Sequence, residues 1–227
     1  MILEGRHAVV YGASGAIGGA VARAFAAEGA IVHAPSHAEV DALDEAAVDA
    51  HAASLPRIDI SFNSISIGDV QGTPMVEMAV ADYVEPLARQ VRTQFLTTRA
   101  AARRMREHGE GGVLLFFGGT GDPPRGFSLG MLQAGFFAVE HMRRQLAVEL
   151  APDGIRTVTL RTGGVPESLP DGIEGREAIA KSLDESTLSG RSATLEDVGR
   201  VAAFVASDRA RTMTGATVNV SCGALLD

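Results

Sequence analysis

The 227 residues contain no tryptophan, one cysteine (Cys222), one lysine (Lys181) and two tyrosines (Tyr11 and Tyr83). A single thiol excludes an internal disulfide and argues against a stapled secreted domain. Cys222 reads as a small residue close to the last strand. With Lys181 as the sole lysine, a lysine-dependent active site has one position to choose from. No apolar run reaches the roughly 20 residues that span a bilayer. The start, Met1-Ile2-Leu3-Glu4-Gly5-Arg6, has no signal-peptide core, which places the chain in the cytoplasm. Basic charge is also scarce: the net charge is −8, so neither nucleic acid nor an anionic membrane is an expected partner. With 46% hydrophobic and 21% charged residues, the chain has the makeup of one globular domain with a sizeable core.

Strand and helix signals alternate from end to end, which predicts an α/β fold: one parallel sheet with helices on both faces. His7-Ala8-Val9-Val10-Tyr11 is a short apolar run leading into a Gly-rich turn. Helix signals follow from Gly18 to Glu28, with Gly29 as the stop. Ala30–Ala34, Ile58–Asn63, Val113–Phe117, Gly154–Leu160 and Thr217–Val220 read as further strands. A long helix is expected to begin at Asp82, with Glu85 completing a capping box and Pro86 in the first turn. Leu87, Val91, Phe95 and Met105 give it an apolar stripe. A second helix runs to Leu150 with Val139, Met142, Leu146 and Leu150 on one face. Thr194 and Asp197 cap the last helix. Residues 163–190, rich in Gly, Pro, Ser and Asp, read as a mobile substrate lid. No internal repeat or linker divides residues 1–227.

One segment is too short for this plan. Only about four residues separate the strand at Ala30–Ala34 from Glu39-Val40-Asp41, which looks like its successor. Parallel neighbours are normally joined by about a dozen residues or more, and four extended residues reach about 13–14 Å. The crossover helix between the second and third strands is therefore predicted to be missing. Glu39–Asp41 then forms either a very short strand or one that does not pair normally.

The Gly-rich turn Tyr11-Gly12-Ala13-Ser14-Gly15-Ala16-Ile17-Gly18 follows a strand and opens a helix, the context that gives such a loop meaning as a phosphate cradle. Gly12 permits the tight turn, and Gly18 permits close approach at the helix N-terminus. Further along come Val40-Asp41-Ala42-Leu43-Asp44, Asn63-Ser64-Ile65-Ser66, Gly154-Ile155-Arg156 before Thr162-Gly163, Asp197-Val198, Ser207-Asp208 and Thr214-Gly215. In this order, over about 200 residues, the chain resembles the short-chain dehydrogenase/reductase family. The resemblance implies a doubly wound Rossmann-type sheet and a cofactor, NAD or NADP. Its binding residues would be Gly12, Ser14, Ala16, Ile17, Gly18, Asp41 and Asn63. The resemblance also implies a homodimer or homotetramer built on the two long helices. Tyr11 stands where the family has threonine, and Ala16 where it has the middle glycine. Pro35-Ser36-His37, where an acid would favour NAD and an arginine NADP, leaves the choice open. His33 and His37 are four apart on a strand and loop rather than a helix, which speaks against a metal site.

The family's chemistry uses an asparagine, a serine, and a tyrosine with a lysine four residues later. The matching positions here are Gln90, Gly118, Leu132 and Phe136. Tyr83 and Phe95 fill the family's aromatic slots on the preceding helix and set the count. No shift of register restores the pair, because neither tyrosine nor Lys181 lies on this helix. The catalytic residues are thus unassigned. Thr120, Asp122, Arg125, Ser128 and Gln133 are polar candidates for a substitute chemistry, and Met131, Leu132 and Phe136 suggest an apolar pocket. Phe137 reads as packing against another subunit. Three functions stay open: an atypical NAD(P)-dependent oxidoreductase acting on an apolar carbonyl, alcohol or enoyl compound; a non-redox isomerase or lyase; and a catalytically silent scaffold or partner subunit.

Overall fold

A computed structural model describes residues 1–121 and 127–226. The elements are β1 (His7–Tyr11), α1 (Ala16–Ala27), β2 (Ile31–His33), α2 (Glu45–Ser54), β3 (Ile60–Asn63), α3 (Val80–His108), β4 (Gly112–Gly118), α4 (Leu132–Leu150), β5 (Ile155–Arg161), α5 (Arg176–Glu185), α6 (Leu195–Ala206) and β6 (Ala216–Asn219). All six strands are parallel, in the order β2-β1-β3-β4-β5-β6. Successive strand side chains point to opposite faces, so Ala8 and Val10 enter one core while Val9 and Tyr11 enter the other. The first core packs against α1 and α6 through Val21, Phe25, Val198 and Ala202. The second packs against α2, α3 and α4 through Val48, Leu96, Ala101 and Val139. Both faces of the sheet are covered, which explains why β1 and β4 read as continuous apolar runs rather than alternating ones.

No helix forms between Pro35 and Glu39, as the short spacing requires. Glu39–Asp41, however, is no strand. The amides of Glu39 and Val40 both donate to the Ser36 carbonyl (3.1 and 3.0 Å), and the Glu39 carboxylate accepts from Ser36 N and Oγ at 2.8 Å. These bonds close a turn where a ladder was expected. Val40 and Ala42 are buried in the core shared with α2 and α3. The sheet therefore ends at β2, and α2 carries the chain directly from β2 to β3.

The long helix corrects two further expectations. It starts at Val80 with Ala79 as an N-cap that makes no side-chain bond, so Asp82 and Glu85 form no capping box and Pro86 lies two turns in. The stripe Leu87, Val91, Phe95 does not face the core either. Phe95 is 46% and Val84 50% exposed, whereas Gln90, Thr93, Gln94, Thr97 and Thr98 are buried; of the expected stripe only Met105 is fully enclosed. The helix crosses β3 with its polar side inward, because Gln94 and Thr97 serve the end of that strand (below). Elsewhere the local signals hold. Gly29 stops α1 at φ +91°. Thr194 Oγ1 accepts from Asp197 N at 3.0 Å while the Asp197 carboxylate accepts from Thr194 N at 3.1 Å, a complete capping box on α6. Residues 163–190 contain α5 and are mostly exposed. Among the described residues no helix is long and apolar enough to cross a membrane.

Candidate active site at the carboxyl edge of the sheet

The chain leaves β1 toward β2 and later returns to the other side of β1 as β3. Between β1 and β3 the strand order therefore reverses, and the crevice at the carboxyl ends of such strands is where open α/β sheets bind ligands. Two loops meet there: Gly12–Gly15 after β1 and Ser64–Asp69 after β3. They touch at Gly12, where a β-carbon would stand 2.8 Å from Ser64 and Ile65 backbone atoms and φ is +81°. Only glycine fits. Gly15 N donates to Gly12 O at 3.0 Å, and a β-carbon on Gly18 would overlap that same carbonyl.

This turn delivers the N-terminus of α1 in a particular state. No side chain caps it, no acid lies in its first turn, and Ser14, Gly15 and Ala16 are exposed. Amides without partners and an unopposed helix dipole suit a diphosphate. Tyr11 takes no part. Its ring is buried on the α2 side, its hydroxyl pairs with His51 Nδ1 at 3.1 Å, and burial, helped by Asp49, pushes its pKa well above the usual phenol range.

Asn63 ends β3 with both ends of its side-chain amide engaged. Nδ2 donates to Thr97 Oγ1 and Oδ1 accepts from Ile65 N, both at 2.9 Å, while Gln94 Nε2 donates to the Asn63 carbonyl at 3.1 Å. Asn63 thus shapes the loop that follows. Asp41 lies on the exposed stretch before α2, where its carboxylate accepts from Leu43 N at 2.9 Å; it does not line the crevice.

The crevice opens into a cleft of about 170 Å³. Ile17, Ile65, Ile67, Phe117, Leu132 and Phe136 form its apolar walls, and Ser64, Asp69, Gln90 and Thr93 supply polar ones. Larger hollows lie between α1 and α6 (about 600 Å³) and beside β2 at His33, Glu39 and His51 (about 560 Å³). Neither of those sits at the strand-order reversal, so the smaller cleft is the candidate site.

All four positions matched to the family's chemistry gather here. Gln90, Leu132 and Phe136 line the cleft. Phe136 Cδ1 lies 3.4 Å from where a Gly118 β-carbon would be, and its ring also covers Gly119. The phenyl ring at position 136 offers packing alone. Neither tyrosine lines the cleft, and Lys181 is exposed on α5, 3.7 Å from Glu185. Gln133 is spent on structure, donating to Gly119 O at 2.9 Å and accepting from Gly121 N at 3.3 Å. The Thr120 and Ser128 carbonyls accept from Arg161 Nη1 and Gly72 N. Asp122 and Arg125 lie outside the described residues. The sequence reading missed Ser64 and Asp69. Their signal was positional, since the loop after β3 had to end at the strand-order reversal.

Comparison with known proteins agrees with this geometry. A family model described as enoyl-(acyl carrier protein) reductase matches residues 37–224. An uncharacterised oxidoreductase of Methylorubrum extorquens is 30% identical, with 97% of this chain and 98% of that protein aligned. D-threitol dehydrogenase of Mycolicibacterium smegmatis is 29% identical over 97% of this chain and 93% of its own. The crystal structure of a short-chain type dehydrogenase/reductase from Mycobacterium marinum superposes with a TM-score of 0.84 at 25% identity, covering 99% of this chain and 97% of that one. With a matched model over most of its length, the Gly-rich turn at the right strand end and the sheet order of the fold, the chain belongs to the short-chain dehydrogenase/reductase family.

Proposed function

We propose that this protein is an NAD(P)-dependent oxidoreductase that acts on a small, largely apolar alcohol, carbonyl or enoyl compound without a tyrosine–lysine acid–base pair. One observation carries the reading: Ile17, in the first turn of α1, lines the apolar cleft, so the bare helix N-terminus and the cleft are parts of one site. Gly12, Ser14, Ala16, Ile17 and Gly18 fit a diphosphate, Asn63 sets the adjoining loop, and Asp41 is the acid that the family resemblance places near adenine. A bound dinucleotide would supply or accept hydride. The chain's own contribution is orientation and exclusion of water by Ile17, Leu132 and Phe136, with residues 163–190 as the cover. Hydride chemistry depends chiefly on such positioning. General acid–base help typically contributes about 10²–10⁴-fold, so turnover is slow unless the substrate is activated.

Titration with NADH and NADPH, followed by fluorescence and calorimetry, tests the reading. Saturable binding, followed by slow turnover across alcohols, ketones and enoyl thioesters, supports it. Absence of binding at millimolar cofactor removes it. A second reading, a catalytically silent partner subunit, draws on Phe136, whose ring takes space and offers no hydrogen bond where a ribose-binding cation would stand. Binding without turnover favours that alternative. Under either reading the chain works as a homodimer or homotetramer. The apolar residues that α3 and α4 turn away from their own core, Val84, Val91, Phe95, Phe137 and Val148, suit a second copy.

A further inference from the structure

A group that replaces the missing acid–base pair must exchange a proton near neutral pH, reach the cleft and keep a lone pair free. Among the described residues only Asp69 qualifies. The other polar groups of the lining are serine, threonine, asparagine and glutamine side chains, which do not titrate in that range. Asp69 Oδ2 accepts from Gln71 Nε2 at 2.6 Å, and Oδ1 has no partner among the described residues.

Asp69 is also held in place. On one side of it, Ile67 is buried and anchors the loop. On the other, Gly72 N donates to Ser128 O at 2.7 Å, and a β-carbon on Gly130 would stand 2.6 Å from the Val70 carbonyl. The loop after β3 is thereby fastened to the turn that opens α4. Leu132, the first residue of that helix, lines the same cleft and stands where the family has its tyrosine.

We infer that Asp69 is the catalytic base of this protein, supplying from the loop after β3 the proton transfer that the family assigns to a tyrosine on α4. The inference rests on the oxidoreductase reading above and adds the residue that reading lacks. In the step, the O–H bond of a bound alcohol breaks and its proton passes to Asp69 Oδ1. The adjacent C–H bond breaks with its electron pair, which goes as hydride to NAD(P)⁺. A C=O bond forms, so the alcohol is oxidised and the dinucleotide reduced, and Asp69 then releases its proton to water. Gln90 Nε2 and Ser66 Oγ, cleft donors with no partner among the described residues, are available to hold the substrate oxygen. The exchange also accounts for two changes together. A phenol ordinarily titrates near about 10 and needs a neighbouring cation to act as a base at neutral pH, whereas a carboxyl group titrates near about 4 and needs none. With a carboxylate as base, an apolar ring at position 136 costs the proton transfer nothing.

The full chain with NAD⁺ or NADP⁺ and butan-2-ol would be followed by the absorbance of the reduced cofactor. Asp69→Asn is expected to cut the rate by about 10²-fold or more, the range of general acid–base help. Calorimetry should show unchanged cofactor affinity, and melting curves an intact fold. Asp69→Ala should lose as much and recover severalfold with added acetate, which a structural role for the carboxylate would not produce. Binding of 2,2,2-trifluoroethanol, an alcohol that yields hydride poorly, to the complex with oxidised cofactor gives a readout without turnover. Asp69→Asn should weaken it about fivefold, since a charged acceptor becomes a neutral one. No reduced cofactor from the unaltered chain, or a loss that acetate fails to restore, overturns the inference. So does trifluoroethanol binding that Asp69→Asn leaves as it was. Turnover that survives Asp69→Asn would remove this inference and leave the oxidoreductase reading standing. Absence of cofactor binding would remove that reading, and the role of Asp69 with it.

Discussion

Gly135 on α4 and Gln90 on α3 fill a single space: a β-carbon on Gly135 would overlap the Gln90 side-chain oxygen, and Met131 Cε would crowd it at 2.8 Å. The two helices meet this closely because one side of the contact has no side chain. Gln90 is held in the cleft wall as a result.

Gly135→Ala therefore forces Gln90 out of its seat. Overpacking of this kind costs about 1–3 kcal/mol, read as a lower urea midpoint. Gln90→Ala in the same chain should recover most of the loss, so a double-mutant cycle is expected to give a strongly non-additive coupling. Simple additivity would mean that the two residues do not compete for the space.

At the start of α1 the same substitution is expected to act in opposite directions on stability and on binding. Ala16→Glu adds a carboxylate to a first turn that has none, which stabilises a helix by about 0.3–1 kcal/mol. It also occupies the place proposed for a diphosphate. Melting temperature should rise slightly while NADH affinity falls more than tenfold. An unchanged affinity would move the cofactor elsewhere.

Acid should weaken the fold through histidines beside β2. His7 Nδ1 and His33 Nε2 lie 3.0 Å apart, and His51 bonds to Tyr11. Burial, and then the neighbouring His7, hold the His33 pKa below its ordinary value. Burial and then His33 do the same to His51, against a weaker opposing pull from Glu39. A depressed folded pKa means that the native state binds fewer protons than the unfolded chain. The stabilisation is complete above about pH 6.5, the unfolded value, and is lost as pH falls through the lower folded values. Urea midpoints measured between pH 7.5 and 5 should drop, and His51→Gln should flatten the slope. An equal slope in the variant would assign the effect to other groups.

Phe95 and Phe137 are 46% and 49% exposed, and Arg99 lies over the Phe95 ring with 5.5 Å to its centroid. Phe95→Asp and Phe137→Asp are each expected to shift the protein toward monomer in light scattering, with little change in the fold because neither ring is in the core. A monomeric unaltered protein would leave these rings without the proposed partner.

Much of the architecture was legible locally. The Gly-rich turn, the stop at Gly29 and the Thr194–Asp197 box depend on bonds within a few residues, so short-range chemistry predicts them. The missing crossover was legible from chain length alone. The long helix was not. Its stripe of Leu87, Val91 and Phe95 has the period of a buried face, yet hydrophobic spacing says only that a face is covered, not by what. Here β3 takes the polar side, because Asn63 needs Thr97 and Gln94. Glu39–Asp41 failed in a similar way: a strand-like triplet became a turn once Ser36 and Glu39 could satisfy each other nearer at hand.

The sequence by itself determined the fold and that α4 carries neither tyrosine nor lysine, since both follow from order and residue type along the chain. Tertiary structure decided which groups share the cleft. Asp69 and Gln90, 21 positions apart, have nothing local to link them. They line one space because the strand order reverses between β1 and β3, which turns the loop after β3 toward the helix that follows it. Which acceptors stay free there depends on where every nearby donor has been spent, and that is a property of packing in three dimensions.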